Sequence, residues 1–202
     1  TGPNYRPPEK RPKVPNVVAP KMLGEPGFLL DRELKQQELE KKGFQVMVPA
    51  MPETDAPKIE SWVNHLTNLV GTPDEGTYLI GHSIGCQTIL RYLEKLPDNQ
   101  IAGGVVLVAG WINRLDGDLS PEESAIAKPW IETPINLSKI KRMAKYFTAV
   151  FSDNDQFTRL TTENEEIFKH QLGAKVIEEH GKGHFSGGDG VTELLSALEA
   201  LG

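Results

Sequence analysis

The stretch Thr77-Tyr78-Leu79-Ile80-Gly81-His82-Ser83-Ile84-Gly85-Cys86 decides how this chain is read. It opens on an apolar run that suits a strand, and from Cys86 to Lys95 the residues follow a helical pattern. Between the two stands Gly-x-Ser-x-Gly, the spacing of a nucleophile elbow, in which a strand turns abruptly into a helix with a serine at the corner. The turn must be tight to hold the hydroxyl above the sheet edge, clear of its own backbone. Gly81 and Gly85 remove the Cβ atoms that would collide with the neighbouring strand and helix. A helix starting at residues 83–84 also aims free amides and its positive dipole end at the place where an oxyanion would form. Gly-x-Ser-x-Gly is frequent in long sequences, so the flanking strand and helix carry most of the argument.

Outward from this point, strands and helices alternate. Upstream, Leu29, Leu30, Leu34 and Leu39 with neighbouring charges suggest a helix ending at Gly43, followed by a strand over Phe44–Val48 that Pro49 stops. Lys58 to Val70 repeats apolar residues at helical spacing through Ile59, Trp62, Val63, Leu66, Leu69 and Val70. Downstream, Gly103–Ala109 is continuously apolar, as a strand covered on both faces should be. Residues Asn113 to Pro134, polar and broken by Pro121, Pro129 and Pro134, read as an excursion above the sheet. A short helix over Leu137–Met143, a strand over Tyr146–Phe151, a helix over Thr158–Leu172, a strand over Lys175–Glu178 and a last helix over Val191–Leu201 complete the series. This alternation predicts an α/β fold of three layers, αβα, around a mostly parallel central sheet. Ligands of such sheets bind beyond the carboxyl ends of the strands.

A chain of 202 residues fits one domain and buries about 70% of its unfolded surface. Residues 1–27 differ from the rest: seven prolines and a set of basic residues (Arg6, Lys10, Arg11, Lys13, Lys21) make them an extended arm, with room for a short first strand at Asn16–Ala19. Residues 28–202 form the folded domain. A net charge of −6 argues against nucleic acid as a partner. The longest apolar run, Ile101–Ile112, contains Gly103, Gly104 and Gly110 and is too short to span a membrane. The single cysteine, Cys86, cannot form an internal disulfide and fits a reducing compartment, and no signal peptide opens the sequence, so a cytoplasmic protein is expected. Gly187-Gly188-Asp189-Gly190 lacks the repeated acids of a calcium loop and reads as a turn, so neither a metal nor another cofactor is expected.

Three strand ends carry chemistry. The elbow strand ends at Ser83, the next but one runs into Ser152-Asp153-Asn154-Asp155, and the last leads to His180 and then Gly181-Lys182-Gly183-His184. Serine, acid and histidine thus meet one edge of the sheet, in the chain order of an α/β-hydrolase triad. A serine hydroxyl is a weak nucleophile and needs a base, histidine titrates near neutrality, and an acid must orient the imidazole. His184, in a glycine-rich loop that can bend over Ser83, is the candidate base, with His180 as competitor. Asp155 and Asp153 compete as the acid. The oxyanion site needs the amide of Ile84 and a second donor from the loop after the first strand, within Lys21–Gly24, taken as Leu23. Trp111, just past the Gly103–Ala109 strand, and Trp130, in the excursion, are candidates to wall a substrate pocket.

Val48-Pro49-Ala50-Met51-Pro52, the elbow segment, Val106-Leu107-Val108-Ala109-Gly110, Ser152-Asp153-Asn154-Asp155-Gln156 and Gly183-His184-Phe185 together resemble the small serine hydrolases of the retinoblastoma-binding protein 9 and YdeN type. The similarity runs from about Leu29 to the C-terminus. It implies a minimal α/β-hydrolase fold with little or no lid, and it places the family's aspartate on Asp155 and its histidine on His184. The chain departs from the family at the front, where Val17–Gly24 stands in place of a His-Gly or Pro-Gly loop. Either that loop has diverged, or the true first strand is lost or displaced. The expected activity is hydrolysis of small carboxylic esters, or amides, through an acyl-enzyme on Ser83. The alternative is a hydrolase-fold protein of low turnover that serves as a protein-binding module.

Overall fold

The structure, a computed structural model, describes residues 16–18, 39–117, 119–158, 162–191 and 195–201. Six strands form one sheet: β1 (Asn16–Val18), β2 (Gln45–Met47), β3 (Thr77–His82), β4 (Gly104–Val108), β5 (Phe147–Ser152) and β6 (Lys175–Glu179). They lie in the order β2-β1-β3-β4-β5-β6, and every neighbouring pair is parallel. Strand β1 comes from the proline-rich segment and sits inside the sheet, between β2 and β3. The rest of residues 1–27 lies outside the described residues.

The apolar strands feed two cores, because successive side chains point to opposite faces. Val105 and Leu107 of β4 join Leu79, Ala149 and Phe151 on one face, while Val106 and Val108 join Ile80 and Val150 on the other. The first face is covered by α1 (Ile59–Val70), α2 (Ile84–Lys95) and α4 (Leu137–Ile140), through Val63, Leu66, Ile89, Leu90, Leu93 and Ile140. Helical residues 39–41 and α6 (Leu195–Glu199) cover the second, through Leu39, Ala197 and Leu198. These are the three layers that the alternation predicts.

Two stretches differ from their sequence reading. The proline-broken excursion contains a full helix, α3 (Pro121–Glu132). Its first proline is an asset: Pro121 follows the N-cap Ser120 at a position where an amide would be unpaired anyway. Ser120 and Glu123 close a capping box, the Ser120 hydroxyl accepting from the Glu123 amide at 3.1 Å and the Glu123 carboxylate accepting from the Ser120 amide at 2.8 Å. Pro129 does remove one helical donor, but on an exposed flank where water can serve the freed carbonyl. The helix expected over Thr158–Leu172 is α5 (Thr162–Glu166) followed by a π-helical turn, Ile167–Gln171, with the Leu172 amide reaching the Ile167 carbonyl at 3.0 Å. The wider turn brings Leu172 to the core face that Ile167 and Phe168 occupy. Thr158 is not helical, because Asp155 engages both its amide and its hydroxyl.

The fold positions a site by its strand order. The chain passes from β1 outward to β2, then back across to β3 on the other side of β1. The crevice beyond the carboxyl ends of β1 and β3 is therefore a topological switch point, where parallel sheets bind ligands.

Candidate active site

Strand β3 ends at His82, and Ser83 turns the chain into α2. Ser83 has φ 48° and ψ −120°, a strained backbone for a residue with a side chain. Its amide is tied to the Val108 carbonyl at 2.9 Å, and its carbonyl accepts from the Cys86 amide at 3.0 Å. The corner closes so tightly that a Cβ on Gly81 would stand 2.9 Å from both the nitrogen and the Cα of Cys86. Only glycine fits there. Ile84 is the first residue of α2, so its amide lies among those that have no carbonyl one turn back. Leu23, with the whole Lys21–Gly24 loop, lies outside the described residues.

Beyond β5 and β6 the chain is held by a clasp of short polar side chains. Ser152, the last residue of β5, and the three residues after it meet residues 181–184 of the facing loop. The Ser152 hydroxyl accepts from the Lys182 amide at 3.0 Å, and the Asp153 carboxylate accepts from the Gly181 amide at 2.8 Å. The Asn154 side-chain oxygen accepts from the Gly183 amide at 2.7 Å, and from the Ser152 hydroxyl at 2.8 Å. Asp155 then meets the His184 ring, its Oδ2 and Oδ1 lying 2.9 and 3.1 Å from Nδ1. The parallel pairing of β5 and β6 is thus continued past their ends by side chains. The competing pair, Asp153 and His180, is hydrogen-bonded to itself, with His180 almost fully exposed. It stabilises the base of the loop and stands apart from Ser83.

Asp155 is wholly buried. Burial opposes its charge, but hydrogen bonds from His184, from the Thr158 hydroxyl and from the Phe157 amide outweigh that cost and hold its carboxyl below the ordinary value. An ionised carboxylate only accepts, so His184 carries its proton on Nδ1 and presents Nε2 as an acceptor. The His184 side chain retains 15% of its exposure, enough to face an incoming group. Its ring lies between two others, with Phe157 edge-on at 5.0 Å and His82 at 4.9 Å between centroids.

Ser83 and His184 line one cavity of about 210 Å³, with Ile84, Trp111 and Phe157. The remaining wall is Pro57, Leu115, Leu119, Ile126 and Ala127, with Thr54, His82 and Glu123 as its polar members. Helix α3 is therefore the roof. Trp111 lines this cavity, whereas Trp130 does not. Trp130 is fully buried behind the wall, edge-on to Trp62 at 6.1 Å, with its indole N–H donated to the Pro57 carbonyl at 3.1 Å. A larger hollow of about 890 Å³ around Pro134, Lys141 and His170 contains neither Ser83 nor His184, so the smaller cavity is where chemistry can occur. Cys86 is buried, its thiol held in the protonated form by that burial and bonded to the Val108 carbonyl at 3.3 Å; it is no nucleophile. Among the described residues, no group of three or more His, Cys, Asp and Glu side chains is placed to hold a metal ion, and no helix is long and apolar enough to cross a membrane.

The sequence reading missed the partners that hold these groups: Ser152 and Asn154 in the clasp, Thr158 beneath Asp155, and Asp189 beside His184. A run of four small polar residues at a strand end was the available signal for the first two. Thr158 and Asp189 stand three and five residues from the groups they hold, with no periodic pattern to mark them.

Comparison with known proteins bears on the whole domain. YdeN of Bacillus subtilis (strain 168), classed by name among the hydrolases, is 30% identical over 159 residues, which cover 79% of this chain and 80% of that one. The serine hydrolase RBBP9 of Rattus norvegicus is 25% identical over a stretch covering 79% of this chain and 78% of its own. The crystal structure of the ydeN gene product from B. subtilis superposes with a TM-score of 0.79 at 25% identity, covering 92% of this chain and 95% of that one. Residues 33–201 match the serine hydrolase family, and with a three-layer α/β sheet of hydrolase type around them this chain belongs to that family.

Proposed function

We propose that this serine hydrolase cleaves small carboxylic esters through an acyl-enzyme on Ser83. One observation carries the reading: a serine on a strained elbow shares a small, mostly apolar cavity with a histidine whose far nitrogen is held by a buried carboxylate. His184 Nε2 takes the Ser83 hydroxyl proton as Oγ bonds to the ester carbonyl carbon. The carbonyl π electrons move to oxygen, and the resulting oxyanion is met by the Ile84 amide. Asp155 keeps the imidazolium in place. Collapse of the intermediate breaks the bond to the alkoxy oxygen, which receives the proton from His184 and leaves as an alcohol. Water then repeats the sequence on the acyl-enzyme, releasing a carboxylic acid and restoring Ser83.

The cavity supports a small acyl group. Its volume of about 210 Å³ lies below the ~300–1,000 Å³ typical of sites for drug-sized ligands. Its lining offers a short hydrocarbon chain apolar contacts from Leu115, Leu119, Ile126 and Ala127. The test is hydrolysis of a chromogenic acetate together with labelling by a fluorophosphonate. Wild type should turn over and label, and Ser83→Ala should do neither. Equal labelling of the two proteins would remove Ser83 from the mechanism and favour a binding role for the fold.

A further inference from the structure

His82 lies one residue before Ser83 and takes no part in the scheme above, yet it reaches across to the loop that carries His184. Its Nε2 is 2.7 Å from the backbone carbonyl oxygen of His184. A carbonyl can only accept, so His82 donates, and its ring must be the tautomer protonated on Nε2. The rings of His82 and His184 also touch, with centroids 4.9 Å apart and planes tilted by 54°. On the other side of the same residue, the Asp189 carboxylate accepts from the His184 amide at 3.0 Å, as well as from the amide and hydroxyl of Ser186. A Cβ on Gly183 would stand 2.3 Å from an Asp189 oxygen, so this carboxylate is packed directly against the turn.

We propose that His82 is a positioning residue: its hydrogen bond to the His184 carbonyl fixes the backbone of the catalytic histidine relative to the nucleophile elbow. The inference rests on the reading of His184 as the base. The geometry explains why such a tie is useful. His184 sits on a loop with glycines at 181, 183, 187, 188 and 190, positions where no side chain restricts the backbone. Ser83 sits at the end of β3, a strand paired on both sides within the sheet. The clasp to residues 152–155 fixes the loop relative to β5, and His82, one residue before the nucleophile, ties it to the elbow. With carbonyl, amide and Nδ1 all held, the imidazole has one place to be. The charged and titratable groups facing His82 are His184, Asp155 and Asp189. Burial, and then the charge of His184, push its pKa down to about 3, so it remains a neutral donor throughout the working range of an esterase.

His82→Leu keeps a side chain of comparable bulk without a donor, and His82→Gln restores an N–H at nearly the same reach. Leucine is expected to lower kcat for a chromogenic acetate by about 10- to 100-fold with little change in KM, since a misplaced base costs rate rather than binding. Glutamine is expected to regain most of the loss. Unchanged kcat in the leucine variant, or a glutamine variant as slow as leucine, would overturn the proposal while leaving Ser83 and His184 intact. A wild type that labels no better than Ser83→Ala removes the base, and His82's role with it. If the variants do not fold, wild type labelled with 15N-histidine decides by NMR. His82 must appear as the neutral tautomer protonated on Nε2; the Nδ1–H tautomer could not donate to the carbonyl and would refute the assignment.

Discussion

Gly81 and Asn154 locate the fine positioning of the site in two different kinds of contact. At Gly81 the constraint is steric, and backbone atoms of Cys86 and Gly85 stand where a Cβ would go. Backbone cannot swing aside as a side chain can. Gly81→Ala should therefore open the elbow, costing about 2–3 kcal/mol in denaturant melts and most of the esterase rate. A variant of wild-type stability and activity would mean that the corner is looser than its distances indicate. At Asn154 the constraint is polar. Its side-chain oxygen serves both the Gly183 amide and the Ser152 hydroxyl, so Asn154→Ala leaves two donors without their acceptor. We expect a loss of about 1–3 kcal/mol and a lower kcat with KM nearly unchanged. Asn154→Asp, which keeps the acceptor, should recover part of both. The glycine was readable in the sequence because a tight turn leaves a local pattern. The asparagine was not, because its role depends on a loop some thirty residues away that runs alongside only in the folded state.

Helix α3 shows where element-level reading stops. Strands and buried helices announced themselves through apolar periodicity, and their order gave the three layers. The 113–134 segment has no such signal, since its outer face is polar and its prolines look like breaks. Its register as a helix is set by a cap, Ser120 with Glu123, and by docking from elsewhere. Arg91 of α2 supplies that docking. Its guanidinium donates to the carbonyls of Trp130 and Thr133 at 2.8 Å each, covering the carbonyls at the end of α3 that have no helical donor. Trp130 was expected at the pocket; it serves instead as a peg, donating to Pro57 from beneath the roof. The roof is thus pinned at its C-terminal end, while its N-terminal end closes on its own capping box. Arg91→Ala should cost about 1–3 kcal/mol by leaving the buried Trp130 carbonyl without its donor. It should also blur chain-length selectivity. Wild type should prefer acetate and butyrate esters to octanoate, and the variant should narrow that ratio. An unaltered ratio alongside lowered stability would show that α3 does not set the size limit.

Over the whole molecule, the groups that build the site also bias how stability responds to acid. His82 and Asp155 flank His184, and both titrate below their ordinary values, which makes the sign of each contribution definite. For His82 the ordinary value is 6.5 and the folded value about 3, set first by burial and then by the charge of His184. Between those values the unfolded chain binds a proton that the folded chain refuses. Stability must therefore fall as pH drops from 6.5 towards 3, by about 1.4 kcal/mol per unit traversed. For Asp155 the ordinary value is 3.8 and the folded value lower, because its hydrogen bonds outweigh the burial that opposes them. Its contribution is complete above 3.8 and is lost as pH falls below it. The two windows adjoin, so acid should weaken the protein in two successive stages, against a total stability of about 5–15 kcal/mol. Urea midpoints measured from pH 7 to pH 3 separate them. His82→Gln should flatten the slope between pH 6.5 and 4 and leave the lower stage. Asp155→Asn should weaken the protein at neutral pH and flatten only the region below 3.8. Should His82→Gln keep the full slope above pH 4, His82 is not the group that refuses the proton, and the acid sensitivity of this hydrolase must come from elsewhere in the fold.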